Sequence, residues 1–430
     1  MDKLFVRYGD EKWYFDPPPG WNVLTFASFQ DRPHEPDVEE LTRNALNNPV
    51  RSAPLRERVS PSDTVAIIIE DQTRASPKKI ILKALLEELQ QIGVPARNIS
   101  MIVALGTHRA LTTGEMETVY GEDAVRGYSF TNHDCQAPDL VPVGRLKTGA
   151  VVKVNRRVHE ATFRIGIGSI FPHVLNGFGG GGKILFPGVV NFDAILEHHL
   201  KYSFRNGSEL GRLKGNPFHD EVCALSEKAG LHFIINGVLN HNDLLHAIVA
   251  GDPIDAHLSG VELCKGVISQ AFPRKSDVTL ISSFPYTEGP QIVKPFGPAA
   301  LVTREGGVII LAARCTLALP EIYLEGCERF RTRHKGRLRE GVFSLFDRNR
   351  RIIEDGAPEL NMSAAQVLLT QDRCRVILVS KDISRQTAER LGFLFAGDLK
   401  EAFAISGRLI PNPEVHVIPA GGVILPQLQG

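Results

Sequence analysis

Short apolar runs alternate with helical patterns along most of the chain. Residues 65–69 are rich in β-branched side chains, a pattern typical of a strand buried on both faces in a parallel sheet. Apolar residues then recur at helical spacing over residues 80–89, with Ser76 as the expected cap, Pro77 in the first turn and Gly93 as the stop. A buried strand followed by a helix predicts an α/β fold.

Two further strands are predicted at residues 99–105 and 162–167. Three loops, at residues 70–75, 106–109 and 171–173, follow the three strands directly. Ligands of open α/β sheets bind outside the carboxyl ends of the strands. We therefore expect these loops to meet at one edge of a sheet and to contact substrate.

A second α/β domain is predicted after a linker at residues 272–276. Its apolar runs lie at residues 278–281, 308–311, 376–379 and 415–418. Near the start of the chain, residues 1–50 predict a hairpin and a loop, because Pro17, Pro18 and Pro19 interrupt any ladder or helix. The expected fold is α/β, with two α/β domains, mostly parallel sheets and an active-site cleft between them. The expected domains are residues 1–272 and 277–430, with the last residues packing back on the N-terminal domain.

Composition and charge favour a soluble cytoplasmic protein. Among 430 residues, 43% are hydrophobic, and 49 basic residues balance 49 acidic ones. This balance gives no overall field to attract nucleic acid or a membrane surface, and we expect neither partner. Six cysteines are scattered without a C-x-x-C pair, which argues against a zinc ribbon or a disulfide framework and favours a reducing compartment.

A glycine-rich segment is the most informative part of the sequence. Glycines let backbone N–H groups approach an anion closely, and residues 177–183 satisfy G-x-x-x-x-G-K. In a nucleotide-triphosphatase loop, however, Ser or Thr and a long helix follow the lysine, whereas here Ile184 follows and Pro187 opposes a long helix. A phosphate-binding transferase or an NTP-using enzyme remains an alternative reading of this segment.

Several motifs in order resemble the lactate racemase family. Phe171-Pro172-His173 precedes the glycines and Lys183, and Pro187-Gly188 and His198-His199 follow them. Upstream, residues 71–77 (DQTRASP) and 104–109 (ALGTHR) match the N-terminal motifs of that family in order and approximate position. The resemblance covers roughly residues 60–200 well and the C-terminal domain more thinly.

The resemblance implies a nickel-dependent isomerase that acts on 2-hydroxy acids. Its cofactor would be a nickel-pincer nucleotide, pyridinium-3-thioamide-5-thiocarboxylic acid mononucleotide, attached at Lys183. By its spacing from the lysine, His199 rather than His198 matches the nickel ligand, and a sulfur-rich donor set with one imidazole suits nickel. The remaining residues expected at the cofactor are Asp71, Thr73, Gly179, Gly180, Gly181 and Gly182.

In the mechanism implied by the resemblance, hydride leaves the substrate α-carbon and returns to its opposite face. His108 and His173 match the family's pair of proton-transferring histidines, a role that suits the near-neutral pKa of imidazole. Arg74 matches the substrate-handling arginine, and a guanidinium can hold a carboxylate through two hydrogen bonds. Gln291 and Lys294 resemble the residues that the second domain supplies to the substrate.

The sequence departs from the family at the substrate-binding end. Pro290 replaces the usual tyrosine four residues before the lysine, and the two tryptophans, Trp13 and Trp21, leave none for the C-terminal half. We therefore expect a 2-hydroxy acid larger or more polar than lactate. The implied partners are this substrate and separate proteins that synthesise the cofactor and insert nickel. A family member that only binds ligand is a further alternative, and the sequence leaves the oligomeric state open.

Overall fold

A computed structural model describes residues 3–29 and 37–429 of the chain. The chain divides into two compact units. The first, called here the central unit, comprises Arg32–Val267, and the second, called the terminal unit, comprises Met1–Asp31 and Ile268–Gly430.

The first strands of the chain belong to the terminal unit. They are β1 (Phe5–Tyr8), β2 (Glu11–Tyr14) and β3 (Asn22–Phe26). β1 and β2 form the predicted N-terminal hairpin, in which Val6 pairs with Trp13.

The central unit alternates strands and helices. Its elements are α1 (Val38–Asn47), α2 (Leu55–Arg58), β4 (Val65–Glu70), α3 (Lys78–Ile92), β5 (Ile99–Ala104), α4 (Thr113–Tyr120), α5 (Glu122–Gly127), β6 (Ser129–Asn132), β7 (Val141–Arg145), β8 (Val151–Val154), α6 (Arg156–Glu160), β9 (Phe163–Ile170), β10 (Pro172–His173), β11 (Gly177–Phe178), α7 (Phe192–Tyr202), α8 (Pro217–Lys228), β12 (Phe233–Leu239), β13 (Leu245–Gly251) and α9 (Asp255–Ile268). Short 3-10 helices lie at Ala96–Asn98 and Gly181–Ile184.

One mostly parallel sheet organises the central unit. The described strands run in the order β13-β12-β9-β4-β5-β6, and only β13 pairs with its neighbour in the antiparallel direction. All six residues of β4 are buried, since helices cover both faces of a parallel sheet. Because β4, β5 and β9 are adjacent and parallel, their carboxyl ends bring the three predicted loops to one edge.

The terminal unit contains a second sheet, in which every described pair is parallel. Its strands run in the order β18-β17-β16-β15-β19-β3. Its remaining elements are β14 (Ser269–Phe272), β15 (Ser276–Ser282), the 3-10 helix Gly289–Val293, α10 (Phe296–Val302), β16 (Thr303–Ala312), α11 (Glu321–Arg333), α12 (Leu338–Asp347), α13 (Pro358–Gln371), β17 (Arg375–Val379), α14 (Arg385–Arg390), β18 (Leu394–Ala396), α15 (Leu399–Leu409), β19 (Glu414–Ile418), the 3-10 helix Gly421–Val423 and β20 (Leu425–Leu428).

The predicted α/β class, the mostly parallel sheets and the predicted strands are confirmed. Two details differ. The sequence assigned the first residues to the N-terminal domain, but β3 pairs with β19 and so joins the C-terminal sheet. Ser76 was expected to cap α3; instead Pro77 occupies the cap position, and Ser76 donates its hydroxyl hydrogen bond to the buried carboxylate of Glu70.

Within the described ranges, none of the helices has the length and apolar character needed to cross a membrane.

Candidate active site

His108 is held by the carboxylate of Asp71, at the edge of the central sheet where β4 and β5 end. The loop after β5 carries His108, and the loop after β4 carries Asp71. Nδ1 of His108 lies 2.6 Å from Oδ2 of Asp71. The amide of Gly106 donates to the carbonyl of Gly188 at 2.9 Å, so the same loop is also tied to the end of the glycine-rich segment.

Asp71 organises the loop in which it lies. Its Oδ1 accepts hydrogen bonds from the amide and the hydroxyl of Thr73, and Nη1 of Arg74 donates to the hydroxyl oxygen of Thr73 at 3.0 Å. Burial by itself would raise the pKa of Asp71, but the hydrogen bond from His108 and the charges of His108 and Arg74 outweigh it and hold that pKa well below its usual range. Asp71 is therefore an anion that faces His108.

A buried polar network supports this loop from below. The hydroxyls of Ser76 and Ser169 both donate to Oε1 of Glu70, and the ammonium of Lys78 lies 3.8 Å from the same oxygen. Lys78 also donates to the backbone carbonyl of Arg74. Burial lowers the pKa of Lys78, and the carboxylates of Glu70 and Asp71 oppose that shift. The network joins strand β4 to Arg74.

His173 and Lys183 form the second polar group of the site. Nδ1 of His173 accepts from the amides of Leu175 and Asn176 at 3.2 and 3.1 Å, which places the proton of the neutral ring on Nε2. Nε2 of His173 lies 3.1 Å from Nζ of Lys183. Burial and the nearby charge of Arg74 lower the pKa of Lys183 to about 7. A neutral amine at neutral pH is a nucleophile and can accept the hydrogen bond from His173.

The histidine pair on α7 separates into two different environments. His198 is fully buried, and its Nε2 lies 3.1 Å from the carbonyl oxygen of Phe218. His199 is half-buried, and its Nδ1 lies 2.8 Å from the carbonyl oxygen of Ile195. That contact leaves Nε2 of His199, with its lone pair, as the atom that could bind a metal. Burial and the charge of Lys183 lower the pKa of His199 to about 4, so its ring is neutral at pH 7.

Phe218, at the start of α8, packs among these groups. Its ring centroid lies 5.1 Å from that of His199 and 5.6 Å from Nζ of Lys183. The sequence patterns did not indicate Phe218 or Lys78, and they placed Glu70 in a loop, whereas it is the last residue of β4. Asn216-Pro217 was the available signal for Phe218, because Asn at the cap and Pro in the first turn mark where the helix begins.

The glycines pack against protein and do not form the open phosphate cradle that the sequence suggested. The amide of Gly179 donates to Phe171, and the amide of Gly181 donates to Oδ1 of Asn236 at 2.8 Å. A Cβ atom at Gly181 would lie 2.7 Å from the ring of His257, and one at Gly182 would lie 2.4 Å from Oγ of Ser226. Close packing is thus the observed reason for glycine here, and the 3-10 helix Gly181–Ile184 replaces the long helix of a nucleotide-triphosphatase loop.

In the terminal unit, the side chains of Gln291 and Lys294 contact each other. Nζ of Lys294 donates to Oε1 of Gln291 at 2.9 Å. The residues lie in and directly after the 3-10 helix Gly289–Val293.

The chain resembles known proteins in both sequence and fold. The family described as the lactate racemase N-terminal domain matches residues 8–211. The lactate racemase of Thermoanaerobacterium thermosaccharolyticum is 28% identical over 98% of this chain and 98% of its own length. The structure of its apoprotein superposes with a TM-score of 0.86 at 25% identity, covering 99% of this chain and 100% of the other.

The chain is similar to lactate racemases in sequence and in fold. A second relative, the lactate racemase of Lactiplantibacillus plantarum, is 31% identical over 64% of this chain and 66% of its own length. The lactate racemase relatives support a racemase, and hence an isomerase, function for this chain.

The residues present fit the nickel-pincer nucleotide that the lactate racemase family implies. An amine with a pKa of about 7 suits covalent attachment at Lys183, and the free Nε2 of His199 suits a single nitrogen ligand. In the described part of the chain, no group of three His, Cys, Asp or Glu side chains is arranged to hold a metal.

Proposed function

We propose that this protein is a racemase or epimerase that interconverts stereoisomers at C2 of a 2-hydroxy acid, with a nickel-pincer nucleotide attached at Lys183 and nickel bound by His199. When bound, the nucleotide supplies the acceptor and donor of the hydride. The observation that carries the proposal is Lys183, an amine with a lowered pKa whose Nζ lies 3.1 Å from a candidate proton-transferring histidine, His173. His199 is preferred to His198 as ligand because its side chain is only partly buried, whereas that of His198 is completely buried.

Two histidines move the hydroxyl proton, one for each face of the substrate carbon. Asp71 holds the proton of His108 on Nδ1, so Nε2 of the neutral ring can accept the proton of a substrate hydroxyl. The backbone amides at Leu175 and Asn176 hold the proton of neutral His173 on Nε2, from which it can be donated. Asp71 and Thr73 thereby orient His108 and Arg74.

We assign the substrate carboxylate to Arg74 and Lys294, with Gln291 orienting the lysine. The guanidinium of Arg74 stacks on Phe171, with Cζ 4.9 Å from the ring centroid, and its Nη1 donates to Thr73. A planar guanidinium fixed in this way can present two parallel donors to a carboxylate.

The substrate we propose is larger or more polar than lactate. Pro290 cannot supply the aromatic wall that a tyrosine would, and both tryptophans lie in the first 21 residues. Loss of an aromatic wall leaves room for a longer or hydroxylated substituent on C2. Equal activity on lactate with poor activity on every longer or polyhydroxylated acid would overturn this part of the proposal.

Maturation would require other proteins. Proteins that synthesise the nucleotide and insert nickel must act before the enzyme does, so protein made in a host without them should be inactive apoprotein. A cytoplasmic location agrees with six scattered cysteines that include no C-x-x-C pair.

Mass spectrometry of the peptide that contains Lys183 tests the proposal. We expect a lysine carrying a sulfur-containing pyridinium nucleotide in matured protein, together with interconversion of stereoisomers and α-deuterium exchange in a panel of 2-hydroxy acids. An unmodified lysine together with tight ATP binding would favour the phosphate-binding alternative. Modified protein that binds acids but exchanges no deuterium would favour the non-catalytic alternative.

A further inference from the structure

The turn that carries Lys294 is fastened to helix α13. Oγ of Ser363 donates to the carbonyl of Pro290 at 2.8 Å, and Nε2 of Gln366 donates to the carbonyl of Lys294 at 3.1 Å. The hydroxyl of Tyr323 lies 3.1 Å from Oγ of Ser363 and extends the support. Both ends of the turn are therefore fixed, and the position of the Lys294 ammonium depends on what its side chain contacts.

The ammonium of Lys294 lies over an aromatic ring. Its Nζ is 4.3 Å from the ring centroid of Tyr286, within the range of a cation–π interaction. On another side, Nζ donates to Gln291. An amide and an aromatic face thus hold one long, flexible side chain that would otherwise sample many rotamers.

A glycine from a distant segment makes room for the Tyr286 ring. A Cβ atom at Gly422 would lie 2.6 Å from Cε2 of Tyr286 and 2.7 Å from Cδ of Pro285. The amide of Gly422 donates to the carbonyl of Phe284 at 2.8 Å, so the backbone of the two segments is also joined. The absence of a side chain at Gly422 therefore leaves the space that the ring occupies.

We propose that Tyr286 is a positioning residue for Lys294 and sets the binding of the substrate carboxylate. Pro290 leaves the family's tyrosine position without an aromatic group, and Tyr286 supplies an aromatic face to the lysine from four residues earlier. The carboxylate-binding lysine keeps its support, while the substituent side of the substrate is less enclosed at position 290. This inference rests on the proposed function, in which Lys294 binds the carboxylate of a 2-hydroxy acid.

Two substitutions of Tyr286 distinguish the loss of its aromatic face from other effects of changing this residue. Tyr286→Leu removes the aromatic face, and we expect KM for the 2-hydroxy acid to rise about tenfold with kcat within about twofold of wild type. Tyr286→Phe keeps the face and should restore the wild-type KM. Gly422→Ala should reproduce the Tyr286→Leu phenotype, because the new methyl group displaces the ring. Tyr14→Leu, at an exposed tyrosine of the same unit, is the matched control and should change nothing.

Acylation of Lys294 in the apoprotein gives a second measurement that needs no activity. The amine-labelling rate at Lys294, followed by mass spectrometry, should rise at least about threefold in Tyr286→Leu and stay unchanged in Tyr286→Phe and Tyr14→Leu. Wild-type KM and labelling rate in Tyr286→Leu would overturn the inference. If matured wild-type protein racemises no acid, the proposed function fails, and the labelling rates alone still decide whether Tyr286 holds Lys294.

Discussion

His108 and His173 lie at the same sheet edge, but Nδ1 of one faces a hydrogen-bond acceptor and Nδ1 of the other faces hydrogen-bond donors. Nδ1 of His108 faces the buried carboxylate of Asp71, whereas Nδ1 of His173 faces two backbone N–H groups. The carboxylate accepts a hydrogen bond from its ring, whereas the two N–H groups can only donate hydrogen bonds to theirs. The neutral tautomers are therefore opposite: Nε2 carries the lone pair on His108 and the proton on His173.

Under the proposed function, this difference lets one residue type serve as base and as acid in the same resting protein. A reaction that removes a hydroxyl proton on one face and returns one on the other needs both roles at once. The hydrogen-bond partner of Nδ1 determines whether Nε2 of the neutral ring carries the proton or the lone pair. Substitutions at the two histidines, and at the polar groups around them, test this difference.

The largest expected effect is on turnover when either histidine is removed. His108→Ala and His173→Ala should each lower kcat for racemisation by about 10²- to 10⁴-fold, because each face loses its proton carrier. Chiral chromatography of matured variants measures the loss. Arg109→Ala, next to His108 but exposed and paired with Glu115, should stay within about threefold. Activity within tenfold of wild type in either histidine variant would remove that residue from the mechanism.

Lys183 should titrate far from an ordinary lysine. A pKa lowered to about 7 means that the reactive neutral amine forms as pH rises through neutrality, whereas an unperturbed lysine requires about pH 10.4. The pH profile of reductive methylation at Lys183 in apoprotein, read by mass spectrometry, should have its midpoint near 7. The exposed Lys79 is the internal control. A Lys183 midpoint above about 9 would contradict the neutral amine beside His173.

Asp71→Asn should lower kcat about 10²-fold, because the amide no longer selects the His108 tautomer or stabilises its protonated form. The folded-state pKa of Asp71 is depressed, so its contribution to stability is present above the unfolded pKa of about 3.9 and is lost as pH falls through the folded value. The thermal stability of wild type should therefore exceed that of Asp71→Asn at pH 7, and the gap should narrow below pH 4. A constant gap from pH 7 to pH 3 would show that ionisation of Asp71 does not matter.

The smallest effect is expected beneath the loop, at Lys78. Lys78→Met removes the donor to the Arg74 carbonyl and should reduce kcat/KM by about tenfold through misplacement of the guanidinium. Lys79→Met removes an exposed lysine next to it and should leave kcat/KM unchanged. Thermal melting of both variants checks that each is folded. Equal kcat/KM in the two variants would leave Lys78 with no role in positioning Arg74.

The sequence predicted the site better than it predicted the support for the site. Periodicity located β4, β5 and β9, and the rule for parallel sheets then placed Asp71, His108 and His173 at one edge. The roles of Ser76 and Lys78 could not be predicted in this way, because both contact the carboxylate of Glu70. Only the folded chain brings that carboxylate to them. The packing of Phe218 against Lys183 joins residues 35 positions apart, which no local pattern encodes.

The glycines illustrate a different limit. Their spacing correctly marked the segment, but the phosphate interpretation assumed that the missing side chains leave space for a ligand. Neighbours such as His257 and Asn236 fill that space, and they come from elements that follow much later in the chain. Local composition therefore identified where side chains are excluded, and the tertiary fold was needed to say what excludes them.

Crowding around these glycines also determines which positions of the chain can tolerate an amino-acid substitution. A methyl group at Gly177 would lie 2.2 Å from the carbonyl oxygen of Arg212, and one at Gly188 would lie 2.0 Å from that of Ile184. Backbone atoms cannot step aside as side chains can, so both positions are closed to single substitutions. Laboratory evolution toward new acids should leave this segment untouched and randomise the neighbourhood of Pro290, where diversity can accumulate without dismantling the scaffold.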